Sequence, residues 1–319
     1  MTSVVVGLVS PGEMGSALGL ALRTGGAEVV TTLQGRSSRS AGFAVAAGLT
    51  ILPDLAAVLR TADIVLSVVP PAQARAVATE VAELCTQLGC RPLLADLNAI
   101  SPVELRALAD DAAAVGLEVV DGALSGAPPG TGSSATRLFL AGPAASRVAE
   151  LPWSPMVLAR VLDGGLGAAS AAKMCTGGVR KGLSALVINA LLTAQAHDVL
   201  DTVVDELERA LGRDPVPDAA LAASKAWRFV AEMEAVAITQ DDAGLDPALY
   251  RAVAEVFGRT AHSTLADRRP EDVERSHPAR GVDGTEGVDQ RRRVVSSLWP
   301  RPDGNDVQGT DPSGAPGSA

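Results

Sequence analysis

Short apolar runs alternate with longer amphipathic segments along the first half of the chain. Val4–Val9 and Ile64–Val69 are almost continuously apolar, which is typical of strands covered on both faces of a parallel sheet. The predicted strands are Val4–Val9, Glu28–Leu33, Ile64–Val68, Pro92–Asp96 and Glu118–Asp121, with Arg137–Ala141 and Pro155–Leu162 completing the sheet. The predicted helices between them are Ser16–Thr24, Ser38–Ala47, Gln73–Leu88 and Ser101–Ala114. This order predicts an α/β, Rossmann-like, doubly wound parallel sheet over residues 1–163.

Strand patterns stop after the glycine-rich segment Asp163–Gly167, and helical patterns replace them. They predict an all-helical C-terminal domain over residues 164–268, with helices from Ala168 to about Leu211, over Asp218–Asp242 and over Pro247–Thr264. The first helix is apolar on nearly every side around Leu183–Ala196. Such a surface needs more than one neighbour, so we expect a homodimer.

Residues 269–319 are rich in Arg, Asp, Gly, Pro and Ser and have hardly any apolar periodicity. A segment of this composition cannot bury enough apolar surface to offset its ordering entropy, so it is predicted to be a disordered tail. No function is assigned to it.

Composition and charge narrow the possible partners. The 319 residues are 47% hydrophobic and carry 27 basic against 37 acidic side chains, a net charge of −10 that disfavours a nucleic-acid-binding surface.

Cys85, Cys90 and Cys175 lack metal-ligand spacing, so reduced thiols in a cytoplasmic protein without a metal site are expected. The longest uncharged stretch, Gly182–His197, is shorter than the roughly 18 residues of a membrane span. We expect no membrane association.

The first strand leads directly into a glycine turn. Ser10-Pro11-Gly12-Glu13-Met14-Gly15 resembles the G-x-G-x-x-G pattern, with Ser10 in place of the first glycine. Gly12 would let a diphosphate approach the backbone, and Gly15 would let the helix pack on the strand. We therefore predict that a dinucleotide binds at Pro11, Gly12, Glu13 and Met14, through backbone groups of the helix N-terminus.

The end of the second strand indicates which dinucleotide is bound. NAD-binding proteins usually place a carboxylate there against the ribose 2′-hydroxyl, but residues 31–39 contain none. Arg36 can pair with a 2′-phosphate and Ser37 can donate to it, so NADP is favoured, with NAD left possible. The alternative is that the arginines of this loop are simply exposed.

Three motifs occur in order: Gly7 with Gly12-Glu13-Met14-Gly15, Asp121-Gly122-Ala123-Leu124-Ser125-Gly126-Ala127, and Gly165-Leu166-Gly167 followed by Lys173. Together they resemble the β-hydroxyacid dehydrogenase and 6-phosphogluconate dehydrogenase superfamily. The likeness is greatest to its branch of NAD(P)-dependent oxidoreductases with a 6-phosphogluconate-dehydrogenase-like C-terminal domain. It covers residues 4–265 and implies a Rossmann domain joined by a long helix to a helical domain.

The resemblance also assigns roles to residues. Lys173 matches the superfamily lysine that acts as general acid and base, and Ser125, Gly126 and Ala127 match the loop that holds the substrate carboxylate. Val69-Pro70 and Asn98 fall where the superfamily lines the cofactor crevice. The plainer alternatives are a solvated or ion-paired lysine and a loop that needs Gly126 only for its backbone angles.

One departure concerns the substrate. The superfamily usually has an asparagine one helical turn after the lysine, and this chain has Gly177. Thr176 is the candidate replacement. Arg180, seven residues after Lys173, either holds a substrate carboxylate or phosphate or pairs across a dimer interface.

These residues predict an NADP-dependent oxidoreductase that transfers a hydride between the nicotinamide and a small hydroxy or keto acid or a related carbonyl compound. Two alternatives stay open. One is an imine reductase of the same architecture, and the other is a catalytically silent NADP-binding sensor.

Overall fold

The computed structural model describes residues 4–132, 134–263 and 266. The strands are β1 (Val5–Leu8), β2 (Glu28–Thr32), β3 (Thr50–Leu52), β4 (Ile64–Ser67), β5 (Leu93–Asp96), β6 (Val119–Ser125), β7 (Thr136–Ala141) and β8 (Val157–Val161). The helices are α1 (Glu13–Thr24), α2 (Ser38–Ala46), α3 (Leu55–Thr61), α4 (Ala74–Leu88), α5 (Pro102–Ala113), α6 (Ala145–Ala149), α7 (Ala168–Ala196), α8 (Leu200–Leu211), α9 (Val216–Ala223), α10 (Ala226–Asp242) and α11 (Ala248–Ala261).

The eight strands form one sheet in the order β3-β2-β1-β4-β5-β6-β7-β8. The chain winds outward from β1 in one direction and from β4 in the other, so the switch point lies between these two strands. All neighbouring pairs are parallel except β6 and β7, which are antiparallel. The predicted α/β sheet followed by helices is confirmed, but the sheet is mostly rather than wholly parallel.

Successive residues of the central strands contribute to cores on opposite faces of the sheet. Ile64 and Leu66 of β4 pack with buried residues of α1 and α2, whereas Val65 packs with buried residues of α4 and α5. Two buried faces explain why the strands are apolar at almost every position.

The chain divides into two compact units. The first comprises the sheet and the helices up to Arg180 together with Val230–Ala254, and the second comprises Lys181–Phe229 and the described residues from Glu255 onward. In the second unit, Phe229 packs edge-to-face on Phe257 with ring centroids 5.3 Å apart, and Lys181 Nζ lies 5.0 Å from the Phe229 ring centroid. The predicted boundaries at 163 and 268 stay predictions, and the predicted tail, 269–319, lies outside the described residues.

Two predicted helices were too long. The helix expected from Ala168 to Leu211 ends at Ala196, and the chain turns at Asp198 with φ +59° before α8 begins. The helix expected over Asp218–Asp242 is likewise divided into α9 and α10. Neither break contains glycine or proline, the residues that usually mark a helix end.

No described helix is both long and apolar enough to cross a bilayer. Within the same residues, no group of three or more His, Cys, Asp or Glu side chains is arranged to hold a metal ion.

Candidate active site

The turn after β1 leaves the N-terminus of α1 open. Gly12 is the N-cap residue, with extended backbone angles, and no side chain caps the helix. A Cβ at Gly12 would meet no atom within 4 Å, whereas a Cβ at Gly15 would overlap the carbonyl oxygen of Ser10. The turn therefore has space above Gly12 and none at Gly15, as the predicted roles of the two glycines require.

The turn is fixed to the strands beside it. The Val9 amide donates to the Leu66 carbonyl oxygen of β4 over 3.1 Å, and Ser16 Oγ donates to the Pro11 carbonyl oxygen over 2.9 Å. Pro11 is buried, Met14 is partly buried and Glu13 is exposed. The backbone N–H groups of this first turn thus lie at the switch point of the sheet, where open α/β sheets bind their ligands.

Asn98 connects the ends of β4 and β5. Its Oδ1 accepts from the Val69 amide over 2.7 Å, and its Nδ2 donates to Ser67 Oγ over 3.0 Å and to Asp96 Oδ2 over 2.8 Å. Asn98 is only 4% exposed, so its amide group holds the turn at Val69 and Pro70 from the protein interior. The sequence-based prediction put Asn98 at the crevice but did not foresee these internal bonds.

Asp96 is the buried acid of this network. Burial raises its pKa to about 6, and the hydrogen bonds from the Asn98 backbone and side chain oppose that rise. Asp96 is thus a carboxyl group whose charge is costly at neutral pH.

Arg36 follows β2 and returns to the end of β1. Its Nη2 donates to the Val9 carbonyl oxygen over 2.9 Å. Its Nε is buried and, among the described residues, has no hydrogen-bond partner. The guanidinium therefore lies beside the start of the glycine turn with donor capacity left, which suits a further acceptor at this place.

The other polar residues of this loop are engaged locally. Ser37 Oγ caps α2 by accepting from the Ser40 amide over 3.2 Å. Arg39 is exposed, pairs with Glu13 at 3.8 Å and lies 5.4 Å from the Phe43 ring centroid. Of the two arginines, Arg36 is the one held at the edge of the crevice.

Lys173 meets the end of β6. Its Nζ donates to the main-chain carbonyl oxygen of Leu124 over 2.6 Å. Ser125 is the next residue, and Gly126 has φ +127°, a backbone conformation that other residues rarely adopt. Thr136 Oγ1 holds the following residue by donating to the Ala127 carbonyl oxygen over 2.6 Å. The structure therefore brings together the predicted lysine and the predicted Ser125–Ala127 loop.

Asp121 attaches the beginning of α7 to β6. Its carboxylate accepts hydrogen bonds of 2.8–3.2 Å from the Gly167, Ala169 and Ser170 amides, and one of 2.7 Å from Ser170 Oγ. Burial raises the pKa of Asp121, and the bonds from Ser170, Ala169 and Gly167 oppose that rise. Sequence reasoning assigned Asp121 no role, although an acid inside the apolar strand Val119–Ser125 is itself a signal, since a buried carboxylate needs partners.

Thr176 and Arg180 lie farther along α7. Thr176 Oγ1 donates to the Ala172 carbonyl oxygen over 2.8 Å, so its hydroxyl hydrogen is used within the helix. Arg180 is exposed. Because they follow Lys173 by three and seven residues, both lie on the same side of the helix as the lysine.

Domain families match two parts of the chain. Residues 5–151 match the NAD binding domain of 6-phosphogluconate dehydrogenase, and residues 194–260 match a domain of unknown function, DUF1932. Among the curated proteins, none matches this chain.

Solved structures share the fold. A conserved protein of unknown function, described as structurally similar to 3-hydroxyacid dehydrogenases, is 26% identical, with 83% of this chain and 100% of that chain covered and a TM-score of 0.61. The 3-hydroxyisobutyrate dehydrogenase of Mycobacterium tuberculosis is 19% identical, with 84% and 97% covered and a TM-score of 0.65. A Myxococcus stipitatus imine reductase variant, solved with NAD+, is 17% identical, with 83% and 96% covered and a TM-score of 0.53.

Proposed function

Since this chain belongs to the β-hydroxyacid dehydrogenase and 6-phosphogluconate dehydrogenase superfamily of oxidoreductases, we propose that it transfers a hydride between NADP and a small hydroxy or keto acid or a related carbonyl compound. The observation that carries the proposal is the 2.6 Å hydrogen bond from Lys173 Nζ to the Leu124 carbonyl oxygen. This bond holds the ammonium group at the residue before Ser125, which supports a site that combines a proton donor for a carbonyl oxygen with the anion-binding groups of Ser125, Gly126 and Ala127.

The open N-terminus of α1 suits the diphosphate of the cofactor. Backbone N–H groups at Gly12, Glu13 and Met14 would hold it, and the space above Gly12 gives it room. The turn at Val69 and Pro70, held by Asn98, would support the nicotinamide side of the crevice. When bound, the nicotinamide supplies the hydride in reduction and accepts it in oxidation.

Arg36 supports NADP over NAD. Its buried Nε has no partner among the described residues, and its guanidinium lies next to the glycine turn. A 2′-phosphate would give this group a charged acceptor, and no carboxylate follows β2 to bind a free ribose 2′-hydroxyl.

Lys173 would act as general acid and base. In reduction, its ammonium would donate one proton to the carbonyl oxygen of the substrate while negative charge develops there, and it would regain a proton from solvent afterwards. In oxidation, the neutral amine would take the proton of the substrate hydroxyl. Ser125 Oγ and the N–H groups of Gly126 and Ala127 would orient the substrate carboxylate.

Imine reduction is the second candidate function. It is favoured by Gly177, which leaves no polar side chain at the position where the superfamily has asparagine, and by the Thr176 hydroxyl, which donates within its own helix. An imine substrate needs a proton on its nitrogen, but it has no hydroxyl group that requires a polar partner. A site without the asparagine would therefore accept an imine.

A homodimer is part of the proposal. Leu183 and Leu186 of α7 are 38% and 63% exposed, which is unfavourable for large apolar side chains in water. A second copy of the chain would cover them. The cytoplasmic location remains a prediction from the sequence.

The test of the reaction is NADPH oxidation at 340 nm with panels of β-keto acids, aldehydes and cyclic imines. With the accepted substrate, Lys173→Ala should lower kcat about 100- to 1,000-fold. The control is Lys181→Ala, which removes another lysine of α7 and should leave kcat within about twofold of the parent on additivity grounds. Full activity of Lys173→Ala would disprove the acid and base role, and silence on every panel would support the sensor alternative.

The cofactor preference is tested by the ratio of the NADH and NADPH dissociation constants. Arg36→Ala should weaken NADPH binding about 10- to 100-fold and NADH binding far less, because only NADPH carries the 2′-phosphate. Arg39→Ala, in the first turn of the helix that follows this loop, is the control and should leave the ratio nearly unchanged. Equal losses for both nucleotides in Arg36→Ala would contradict the phosphate role.

A further inference from the structure

The N-terminus of α7 is held by a residue that is distant in the sequence. Helices α2, α3 and α5 are capped by the residue directly before them: Ser37, Asp54 and Ser101. For α7, the acceptor is Asp121, which precedes its donors by 46 to 49 residues. A local cap stabilises a helix wherever the helix lies, whereas this one also fixes the start of α7 to β6.

A second bond joins the same strand and helix. Lys173 lies three residues after Ser170 on α7, and Leu124 lies three residues after Asp121 on β6. The carboxylate thus fixes the helix about one turn before the lysine, and the strand leads from the carboxylate to the carbonyl oxygen that the lysine meets. The position of the ammonium group relative to Ser125 therefore depends on where α7 begins.

Asp121 has the properties needed to fix that position. It is fully buried, and its four donors include three amides at the N-terminus of a 29-residue helix, where a negative charge is favourable. Among the described residues, Asp121 is the acceptor of all three amides, and no backbone carbonyl outside the helix shares them. Loss of the carboxylate would leave them without acceptors, and the first turn of α7 would have to rearrange.

We propose that Asp121 is a positioning residue for catalysis: by holding the first turn of α7 on β6, it sets the Lys173 ammonium group against Leu124 beside the substrate loop. The proposal rests on the acid and base role of Lys173. Asp121 itself is 0% exposed and enclosed by its donors, so it acts through the helix and not by contact with a substrate.

The position of Lys173 can be measured without a substrate. The chain has lysines only at 173, 181 and 225, so ¹³C-dimethylation gives three lysine NMR signals, which Lys→Arg variants assign. In Asp121→Asn, the Lys173 signal should move to the position of an exposed lysine, while the Lys181 and Lys225 signals stay in place. Asp54→Asn, which alters the cap of α3, is the control and should move none of them. An unchanged Lys173 signal in Asp121→Asn would overturn the proposal.

Asp121→Asn could fail to fold, so a milder variant accompanies it. Ser170→Ala removes only the hydroxyl donor to Asp121 and keeps the three amide bonds. It should move the Lys173 signal in the same direction by a smaller amount. If Asp121→Asn is unfolded, an unmoved signal in Ser170→Ala overturns the proposal.

Kinetics then separate this proposal from the proposed function. Asp121→Asn should lower kcat about 10- to 100-fold in the parent, through misplacement of the lysine, with a smaller change in KM. In the Lys173→Ala background the same substitution should change kcat less than about twofold, since there is no ammonium left to misplace. If the two substitutions lowered kcat by independent factors that multiply in the double variant, the role of Asp121 would be contradicted. A fully active Lys173→Ala variant would instead contradict the proposed function itself.

Discussion

Two of the glycine-containing junctions from a strand into a helix, β1 to α1 and β8 to α7, differ in what occupies the helix N-terminus. Between β1 and α1, the N-cap residue Gly12 offers no side chain and the first turn is open. Between β8 and α7, the carboxylate of Asp121 occupies the first turn. The first junction can bind an external anion, and the second already has an internal one.

The difference shows what a glycine pattern can and cannot predict. Glycine permits a tight turn and close packing, and Gly15 and Gly167 both serve this purpose. Whether the N–H groups beyond the turn stay available depends on residues elsewhere in the chain. In this protein, an aspartate within β6 accepts from the first N–H groups of α7, so these groups are not available to a phosphate.

The largest effect on stability is expected at the junction between β8 and α7, where Asp121 occupies the helix N-terminus. Asp121→Ala should lower the free energy of unfolding by about 3 to 5 kcal/mol, because it leaves four buried donors without their acceptor. Asp54→Ala removes the local cap of α3 and should cost only about 1 kcal/mol. Urea unfolding of both variants gives the comparison, and equal losses would contradict the special role of the distant cap.

The open junction should separate packing from binding. Gly15→Ala would force a Cβ against the Ser10 carbonyl oxygen and should cost about 3 kcal/mol. Gly12→Ala meets no atom, and its extended backbone suits alanine, so its cost should stay below about 1 kcal/mol. Thermal unfolding followed by circular dichroism distinguishes them. If the two variants had the same stability, the assigned packing role of Gly15 would be wrong.

Asp96, which lies on β5 between the two junctions in the sheet, should give a smaller effect that depends on pH. Its folded pKa of about 6 exceeds the ordinary aspartate value of 3.8, so the folded state binds more protons between these two pH values and stability falls as pH rises through them. The loss should be on the order of 2 to 3 kcal/mol and complete above about pH 7.

Asp96→Asn tests this sign directly. Relative to the variant, the parent should lose about 2 to 3 kcal/mol of unfolding free energy as the pH rises from 4 to 7. A difference that does not vary with pH would show that Asp96 is ionised in the folded state throughout.

The sequence predicted the parts of the fold that produce long apolar patterns. The strands around Val6, Val65 and Leu94 were predicted because both sheet faces are buried there. Strand β3 and helix α3 were missed, since elements of three and seven residues are too short for periodicity to show. Strand β7 was predicted as Arg137–Ala141, but its antiparallel direction was not, because strand direction is set by the connection and leaves no mark on the apolar pattern.

The candidate site was predictable to the extent that backbone chemistry defines it. Gly12 and Gly15 have roles that follow from the missing Cβ. The bonds of Lys173 and Asp121 join residues 46 to 49 positions apart, and no spacing rule reveals such a contact. Helix ends at Asp198 and Ser224 were missed for a related reason, since neither residue is a strong helix breaker.

The most direct test of the contrast between the junctions is to give each the same carboxylate. Gly12→Asp and Gly165→Asp both place the side chain where a Cβ meets no atom within 4 Å. Isothermal titration calorimetry should show NADPH binding weakened at least about 100-fold in Gly12→Asp, since the new carboxylate caps α1 and repels the diphosphate. Gly165→Asp should bind within about threefold of the parent, because α7 takes no phosphate. Undiminished binding by Gly12→Asp, or an equal loss in Gly165→Asp, would contradict the assignment of α1 as the dinucleotide site.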